Sequence, residues 1–162
     1  LFMKIKEKTM EELELFEAAS KDLLDTMQGF KDNLSVQFPL LDSDNWQYDK
    51  GSIKVCKADE SGFKKRCRVG ISYNLKVSLL NEYAEQIWLL FKDWFNTSRL
   101  GQVERNPNNE DLGRYVFSAI SPLGDQLDCS IYLPNEWNIP QISFSGYLTA
   151  RYRACDLDKL QG

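Results

Sequence analysis

Four cysteines and no histidine occur among the 162 residues of this chain. Histidine is the commonest metal ligand and the usual general base near neutral pH. Its absence excludes Ser-His-Asp and Cys-His nucleophiles, and it excludes every metal site that needs an imidazole. Disulfides, an all-thiolate metal site or buried thiols remain as uses for the cysteines.

The cysteine spacing is Cys-x10-Cys-x61-Cys-x25-Cys, which does not resemble a metal site. Structural zinc sites usually contain a cysteine pair separated by about two to four residues, and no such pair occurs. A Cys-x-x-Cys redox motif is also missing. The sequence therefore predicts no metal and no cofactor, and it favours disulfides.

Successive side chains of a strand alternate between its two faces. This alternation favours one of the three connectivities that four cysteines allow, namely Cys56–Cys155 together with Cys67–Cys129. Cys67 and Cys129 are in phase with the apolar residues of their predicted strands, whereas Cys56 and Cys155 are out of phase. Partners on one face of a sheet can bring their Cβ atoms together. A rival connectivity joins Cys56 to Cys67 across a hairpin, which a β-bulge would permit. Free thiols are the third reading.

Candidate contact residues lie on the last predicted strand, where Arg151 and Arg153 share a face with Tyr147. Such a polar row usually faces solvent. Together with Arg66 or Arg68 on neighbouring strands, it would form a basic patch suited to an acidic group.

Trp137 stands between turn-forming residues, so we expect it in a loop, where an exposed indole would anchor a partner. No motif places a carboxylate pair for acid–base chemistry, and no glycine-rich phosphate loop occurs. The chain is predicted not to be an enzyme.

The first predicted element that must position these residues is a long helix over residues 9–37. Thr9 and Glu12 form a capping-box pattern, and Pro39 ends the helix. Apolar residues recur at steps of three and four, with Ser20 filling one place. They are Leu13, Phe16, Leu23, Met27, Phe30 and Leu34. Packing against the core is the favoured use of this stripe, and a self-associating or partner-binding seam is the alternative.

The remaining elements alternate between strand and helix patterns. We predict a hairpin over residues 52–57 and 64–73, a helix over residues 78–97 capped by Ser78, and a meander over residues 114–121, 126–133 and 142–154. The order α-β-β-α-β-β-β is typical of an α+β fold with an antiparallel sheet and the helices packed on one face. Residues 1–162 are predicted to form a single globular domain.

Charge and hydropathy narrow the classes of partner. The formal net charge is −4, which argues against nucleic-acid binding. No apolar run is long enough to cross a membrane. The opening Leu-Phe-Met-Lys lacks a signal-peptide core, so either the protein is cytosolic or an export signal has been removed, and we favour the second.

A resemblance emerges from the layout of the whole chain. A long first helix is followed by Trp46, by Cys56 after a polar stretch, by a turn at residues 121–125 between two strands, and by a last strand that ends at Cys155. This layout resembles the LppA-type lipoproteins of actinobacteria, which are small cell-surface α+β proteins. The resemblance covers residues 13–155. It implies a bond between Cys56 and Cys155, a location in the cell envelope and a lipid anchor upstream.

The sequence thus predicts an exported, disulfide-stabilised cell-surface module that binds or serves a structural role without catalysis. Its partner would be a protein or a cell-envelope component. The alternative is a cytosolic acidic interaction protein, such as an inhibitor or chaperone, that binds a basic partner through the first helix or a charged face.

Overall fold

The protein folds as α+β, as the sequence predicts. The computed structural model describes residues 14–56 and 66–155. In this part of the chain, the helices are α1 (Phe16–Gln37) and α2 (Asn81–Asn96), with single 3-10 turns at Pro39–Leu41 and Glu110–Leu112. The strands are β1 (Gln47–Asp49), β2 (Ser52–Val55), β3 (Arg66–Leu75), β4 (Gln102–Asn106), β5 (Arg114–Ile120), β6 (Gln126–Tyr132) and β7 (Gln141–Arg151).

All strand pairs of the sheet are antiparallel, and the spatial order is β1-β3-β7-β6-β5-β4. Strand β2 pairs with β3 on the edge that β1 also occupies, which confirms the predicted hairpin. The predicted meander is confirmed as β5, β6 and β7. Strands β1 and β4 were not predicted, because their short polar sequences lack an apolar alternation.

Helix α1 begins later than predicted. Leu15 is extended, with ψ 155°, and the N–H of Phe16 donates to the carbonyl of Tyr152 at the end of β7. This hydrogen bond fixes the start of α1 at Phe16. Thr9 and Glu12 lie outside the described residues. The helix ends at Gln37, and the predicted stop at Pro39 is confirmed.

The apolar stripe of α1 packs into the core, so the alternative of a partner-binding seam is wrong. Its described members are all buried, and they are Phe16, Ser20, Leu23, Met27, Phe30 and Leu34. The helix crosses β7 at Gly146, where a Cβ would lie 2.7 Å from Cγ2 of Ile71 and 2.8 Å from Cε of Met27. Only a glycine therefore lets α1 approach the sheet this closely.

Helix α2 covers the other half of the same sheet face. Its N-cap is Leu80 rather than the predicted Ser78, because the backbone is still extended at Leu80, with ψ 158°. The ring of Phe30 on α1 lies 5.5 Å from Phe91 on α2 and 5.7 Å from Phe144 on β7. Phe91 and Phe95 of α2 are thus part of the core. Neither described helix is long and apolar enough to span a membrane.

The opposite side of the sheet, here called the open face, carries the alternate side chains of the strands. On β5 and β6 every second residue is buried towards the helices, and the residues between them are partly exposed. Within the described part of the chain, no helix packs on this face. The open face includes Glu104, Asn106, Val116, Ser118, Gln126, Asp128, Ser145 and Tyr147.

Candidate functional site

A disulfide joins Cys56 to Cys67, with 5.8 Å between their Cα atoms. The rival pairing across the hairpin is confirmed, and the favoured pairing of Cys56 with Cys155 and of Cys67 with Cys129 is wrong. Strand β7 separates β3 from β6, and Cys67 lies between the β3 residues that pair with Arg151 and Leu148, whereas Cys129 pairs with Phe144. Cys67 and Cys129 are therefore more than about 10 Å apart, beyond the reach of a disulfide. The argument from side-chain alternation also does not apply to Cys56, because this residue lies just after the end of β2.

Cys129 is a buried thiol outside any disulfide. Burial raises its pKa well above the usual range, and the charge of the neighbouring Asp128 adds to this effect. The thiolate is the nucleophile and the metal ligand. Cys129 is therefore an inert part of the core. Cys155 is exposed.

Arg151 does not belong to an exposed basic patch, so this expectation is corrected. Its side chain is buried, and Nη2 lies 2.7 Å from Oδ2 of Asp125, which is equally buried. The reason is a β-bulge: Arg66 pairs with Arg151 and Arg68 with Leu148, so β7 has an extra residue there. The extra residue turns Arg151 inwards.

The surroundings of Asp125 show that this ion pair holds the turn between β5 and β6. Oδ1 of Asp125 accepts hydrogen bonds from the N–H and Oγ1 of Thr149, at 2.9 and 2.8 Å. Nη1 of Arg151 donates to the same hydroxyl at 2.7 Å. A cavity of about 340 Å³ lies beside the pair, with Arg99 and Glu14 at its wall. Because Asp125 already neutralises Arg151, the pair is structural.

Tyr147 and Arg153 are not brought together with Arg151. Tyr147 lies on the open face, 38% exposed and opposite Gln126 of β6, whereas Arg151 points inwards. Arg153 follows the end of β7 and is partly exposed. The predicted cluster of contact residues is therefore split between the two sides of the sheet.

Trp137 lies in the connection between β6 and β7, residues 133–140, here called the Trp137 loop. The indole is 68% exposed, as expected for a loop residue. Ile139 is also 68% exposed, and Leu112 of the neighbouring 3-10 turn is 41% exposed. Asn135 and Asn138 of the loop bond the carbonyl of Leu112, so these three apolar residues, here called the apolar patch, belong to neighbouring segments at one end of the sheet. Sequence reasoning missed Ile139 and Leu112, although an isoleucine between Asn138 and Pro140 stands out in a turn.

The backbone of the Trp137 loop is fixed by side-chain amides. Asn135 and Asn138 both donate to the carbonyl of Leu112, each at 2.8 Å. Oδ1 of Asn135 accepts from the N–H of Trp137 at 2.8 Å, and Oδ1 of Asn138 accepts from Nε of Arg114 at 2.7 Å. These bonds tie the loop to the turn before β5, so the indole is presented by an ordered backbone.

Gly113 allows this close approach between the loop and the turn. Its φ is +75°, and a Cβ here would lie 3.1 Å from Nδ2 of Asn135 and 3.3 Å from Nδ2 of Asn138. Both the backbone conformation and the space therefore favour glycine. Asn135, Asn138 and Gly113 thus together fix the backbone that exposes the apolar patch.

The fold has a counterpart among solved structures. A DUF4853 family protein from Actinomyces odontolyticus superposes with a TM-score of 0.61 at 11% sequence identity, over 88% of this chain and 72% of that chain. At this identity the similarity shows the fold alone. No protein-family model matches the chain, and the comparison with curated proteins gives no match.

Proposed function

We propose that the protein is an exported, disulfide-stabilised binding module of the cell surface, that it has no catalytic activity, and that the apolar patch contacts its partner. The observation that carries this proposal is the pair of exposed side chains, Trp137 and Ile139, on a hydrogen-bonded loop. Large apolar groups on an ordered backbone lose little conformational entropy on binding. Tryptophan is also among the residues that most often dominate interface energies.

The Cys56–Cys67 disulfide supports the extracytoplasmic location. Structural disulfides form and persist in oxidising compartments, and they are rare in the cytosol. An anchor upstream, as the resemblance to LppA-type lipoproteins implies, would hold the module at the membrane surface. The proposed partner is a protein or another component of the cell envelope.

Charge around the apolar patch favours a particular kind of partner surface. Asp111 and Glu136 are exposed and adjoin Leu112 and Trp137 in the chain, and the guanidinium of Arg114 is bonded to Asn138 of the loop. An apolar cleft with basic groups at its rim would match both the indole and these carboxylates.

Cell fractionation with thiol trapping tests the compartment. Cells of the source organism are lysed in acid with an alkylating reagent, and Cys56 and Cys67 are then mapped by mass spectrometry. We expect the Cys56–Cys67 disulfide in the envelope fraction. Alkylated Cys56 and Cys67 in the cytosolic fraction would contradict export and favour the cytosolic interaction protein.

Sedimentation with cell envelopes tests the contact surface. The variants are Trp137→Ala and Ile139→Ser, and the matched control is Leu89→Ser, because Leu89 is 56% exposed on a different surface. We expect the first two variants to lose co-sedimentation and the control to retain it, with all thermal midpoints close to that of the wild type. Equal binding by all four proteins would show that the apolar patch is not the contact.

A further inference from the structure

A second feature of the molecule, independent of the apolar patch, is a groove of about 480 Å³ on the open face above β4, β5 and β6. This volume is within the range of roughly 300–1,000 Å³ that is common for ligand sites. Six polar residues line the groove: Glu104, Asn106, Asn108, Ser118, Gln126 and Asp128. Arg105 also contributes to the lining, but its guanidinium is already paired with Glu85 and Glu110. The apolar part of the wall includes Val116.

Strand register places the two carboxylates on either side of a hydroxyl. Glu104 pairs with Ser118, and Ser118 pairs with Asp128, so the three residues form one row across neighbouring strands. Adjacent strands are about 4.8 Å apart, which puts the Cα atoms of Glu104 and Asp128 roughly 10 Å from each other. The row spans a width that suits one small ring or a short chain of polar groups.

The carboxylate of Asp128 is oriented by its neighbours. Its Oδ1 accepts from Oγ of Ser118 at 2.6 Å and from Nε2 of Gln126 at 2.7 Å. No donor among the described residues reaches its Oδ2. Glu104 is arranged in a similar way, since its Oε1 accepts from Nε2 of Gln102 at 2.8 Å. Each carboxylate thus keeps one oxygen for an incoming donor.

The composition of the groove selects a class of ligand. An anion would be repelled by the carboxylates of Glu104 and Asp128. An ammonium or guanidinium group can only donate, so it would bind the carboxylates but would offer no acceptor to the side-chain amides of Asn106 and Asn108. A purely apolar ligand would strip water from all six polar side chains without replacing their hydrogen bonds. A ligand with both donors and acceptors at short spacing satisfies the whole set.

Tyr147 adds an aromatic surface next to the groove. It pairs with Gln126 across β6 and β7 and is 38% exposed on the open face. A tyrosine ring offers an apolar face together with a polar hydroxyl. Such a ring can cover the C–H face of a ligand whose hydroxyls reach Gln126 and Asp128.

We propose that this groove binds a neutral polyhydroxylated ligand, a carbohydrate, through the row of Glu104, Ser118 and Asp128 with Tyr147 at its margin. The ligand hydroxyls donate to the carboxylate oxygens of Glu104 and Asp128 and accept from the amide groups. The groove does not require the export of the protein or the apolar patch, so its test is separate from theirs.

The experiment is a nuclear magnetic resonance titration of the 15N-labelled protein with glucose, galactose, mannose, N-acetylglucosamine and N-acetylgalactosamine, with spermidine as a cationic comparison. We expect saturable shifts in the backbone amides of Ser118, Gln126 and Asp128 with at least one sugar. The expected affinity is of the order of millimolar, as for a small ligand with few contacts. Asp128→Asn should weaken this binding about 10-fold or more, because a hydrogen bond to a charged acceptor is lost.

Asp49→Asn is the matched control. Asp49 lies on the same cross-strand row, through Ser72 and Ser145, but at the far edge of the sheet. It should retain the affinity of the wild type for the sugar. Asp128→Asn keeps the acceptor oxygen that bonds Ser118 and Gln126, so its thermal midpoint should remain that of the wild type.

Two results would overturn the proposal. One is the absence of saturable shifts with every sugar of the panel. The other is binding of spermidine alone, weakened equally by Asp128→Asn and by Asp49→Asn, which would show a general attraction of cations to an acidic surface.

Discussion

Nη2 of Arg151 lies 2.7 Å from Oδ2 of Asp125, and both side chains are almost fully buried beneath the turn that joins β5 to β6. Lys21 and Asp25 make an ion pair of nearly the same length, 2.8 Å, on the exposed surface of α1. The two pairs differ in burial rather than in geometry. Asp125 also accepts two hydrogen bonds from Thr149, so its carboxylate is more firmly held than that of Asp25.

We therefore expect Asp125→Asn to lower the free energy of unfolding by about 3–5 kcal/mol, because it leaves the buried charge of Arg151 without a counter-charge. Asp25→Asn should leave the urea midpoint unchanged, since exposed pairs contribute little. Urea denaturation followed by circular dichroism measures both variants. Equal midpoints for the two variants would contradict a structural role for the Arg151–Asp125 pair.

The Cys56–Cys67 disulfide should stabilise the hairpin edge of the sheet. The cysteines are separated by 11 positions, and a loop of this size corresponds to about 3 kcal/mol by chain entropy. The double variant Cys56→Ser/Cys67→Ser should lose roughly this amount, and each single variant should lose a similar amount, because all remove one bond. Thermal unfolding of the three variants provides the measurement.

A reducing agent supplies the control for this prediction. It should lower the melting temperature of the wild type and leave that of the double variant unchanged. A further loss in the reduced double variant would reveal a disulfide other than Cys56–Cys67.

Gly146 and Gly29 should respond in opposite ways to substitution by alanine. A Cβ on Gly146 would meet Ile71 at 2.7 Å and Met27 at 2.8 Å, so Gly146→Ala should destabilise the protein by about 1–3 kcal/mol through overpacking. Gly29 lies inside α1, and the nearest atom to its added Cβ would be Cζ2 of Trp94 at 3.8 Å. Gly29→Ala should therefore stabilise the helix by roughly 0.5–1 kcal/mol. Chemical denaturation measures the free energy of unfolding of both variants. A stabilising effect of Gly146→Ala would show that α1 does not pack closely against β7.

The buried thiol of Cys129 should make the protein less stable at alkaline pH. Burial raises the pKa of its thiol in the folded state, while in the unfolded chain the thiol ionises near its usual pKa of about 8.5. The folded protein thus binds more protons above this pH, and its free energy of unfolding should fall by up to about 1.4 kcal/mol per pH unit. Below pH 8 this contribution is fully present.

The variant Cys129→Ala isolates this effect. Between pH 8 and pH 10, the free energy of unfolding should decline more steeply for the wild type than for the variant. Tyr73 and Tyr115, whose pKa values burial also raises, contribute to both proteins only near and above pH 10. Identical pH profiles for the two proteins, or alkylation of Cys129 in the native state, would contradict an inert buried thiol.

The sequence by itself determined the two helices, the hairpin of β2 and β3, the meander of β5, β6 and β7, and the buried face of α1. These features are local consequences of periodicity: Leu23, Met27, Phe30 and Leu34 mark one face of α1 whatever they pack against. The exposure of Trp137 follows in the same way from the turn residues around it. The use of cysteine for a disulfide was also evident from the spacing.

Tertiary structure decided which cysteines pair and what Arg151 does. Both outcomes depend on features that the periodicity of the sequence does not show. Strand β2 ends before Cys56, β7 separates β3 from β6, and a bulge turns Arg151 towards Asp125. The groove on the open face arises in the same way. Glu104, Ser118 and Asp128 form a row only through the register of three strands, and register is set by packing of the whole sheet rather than by neighbours in the chain.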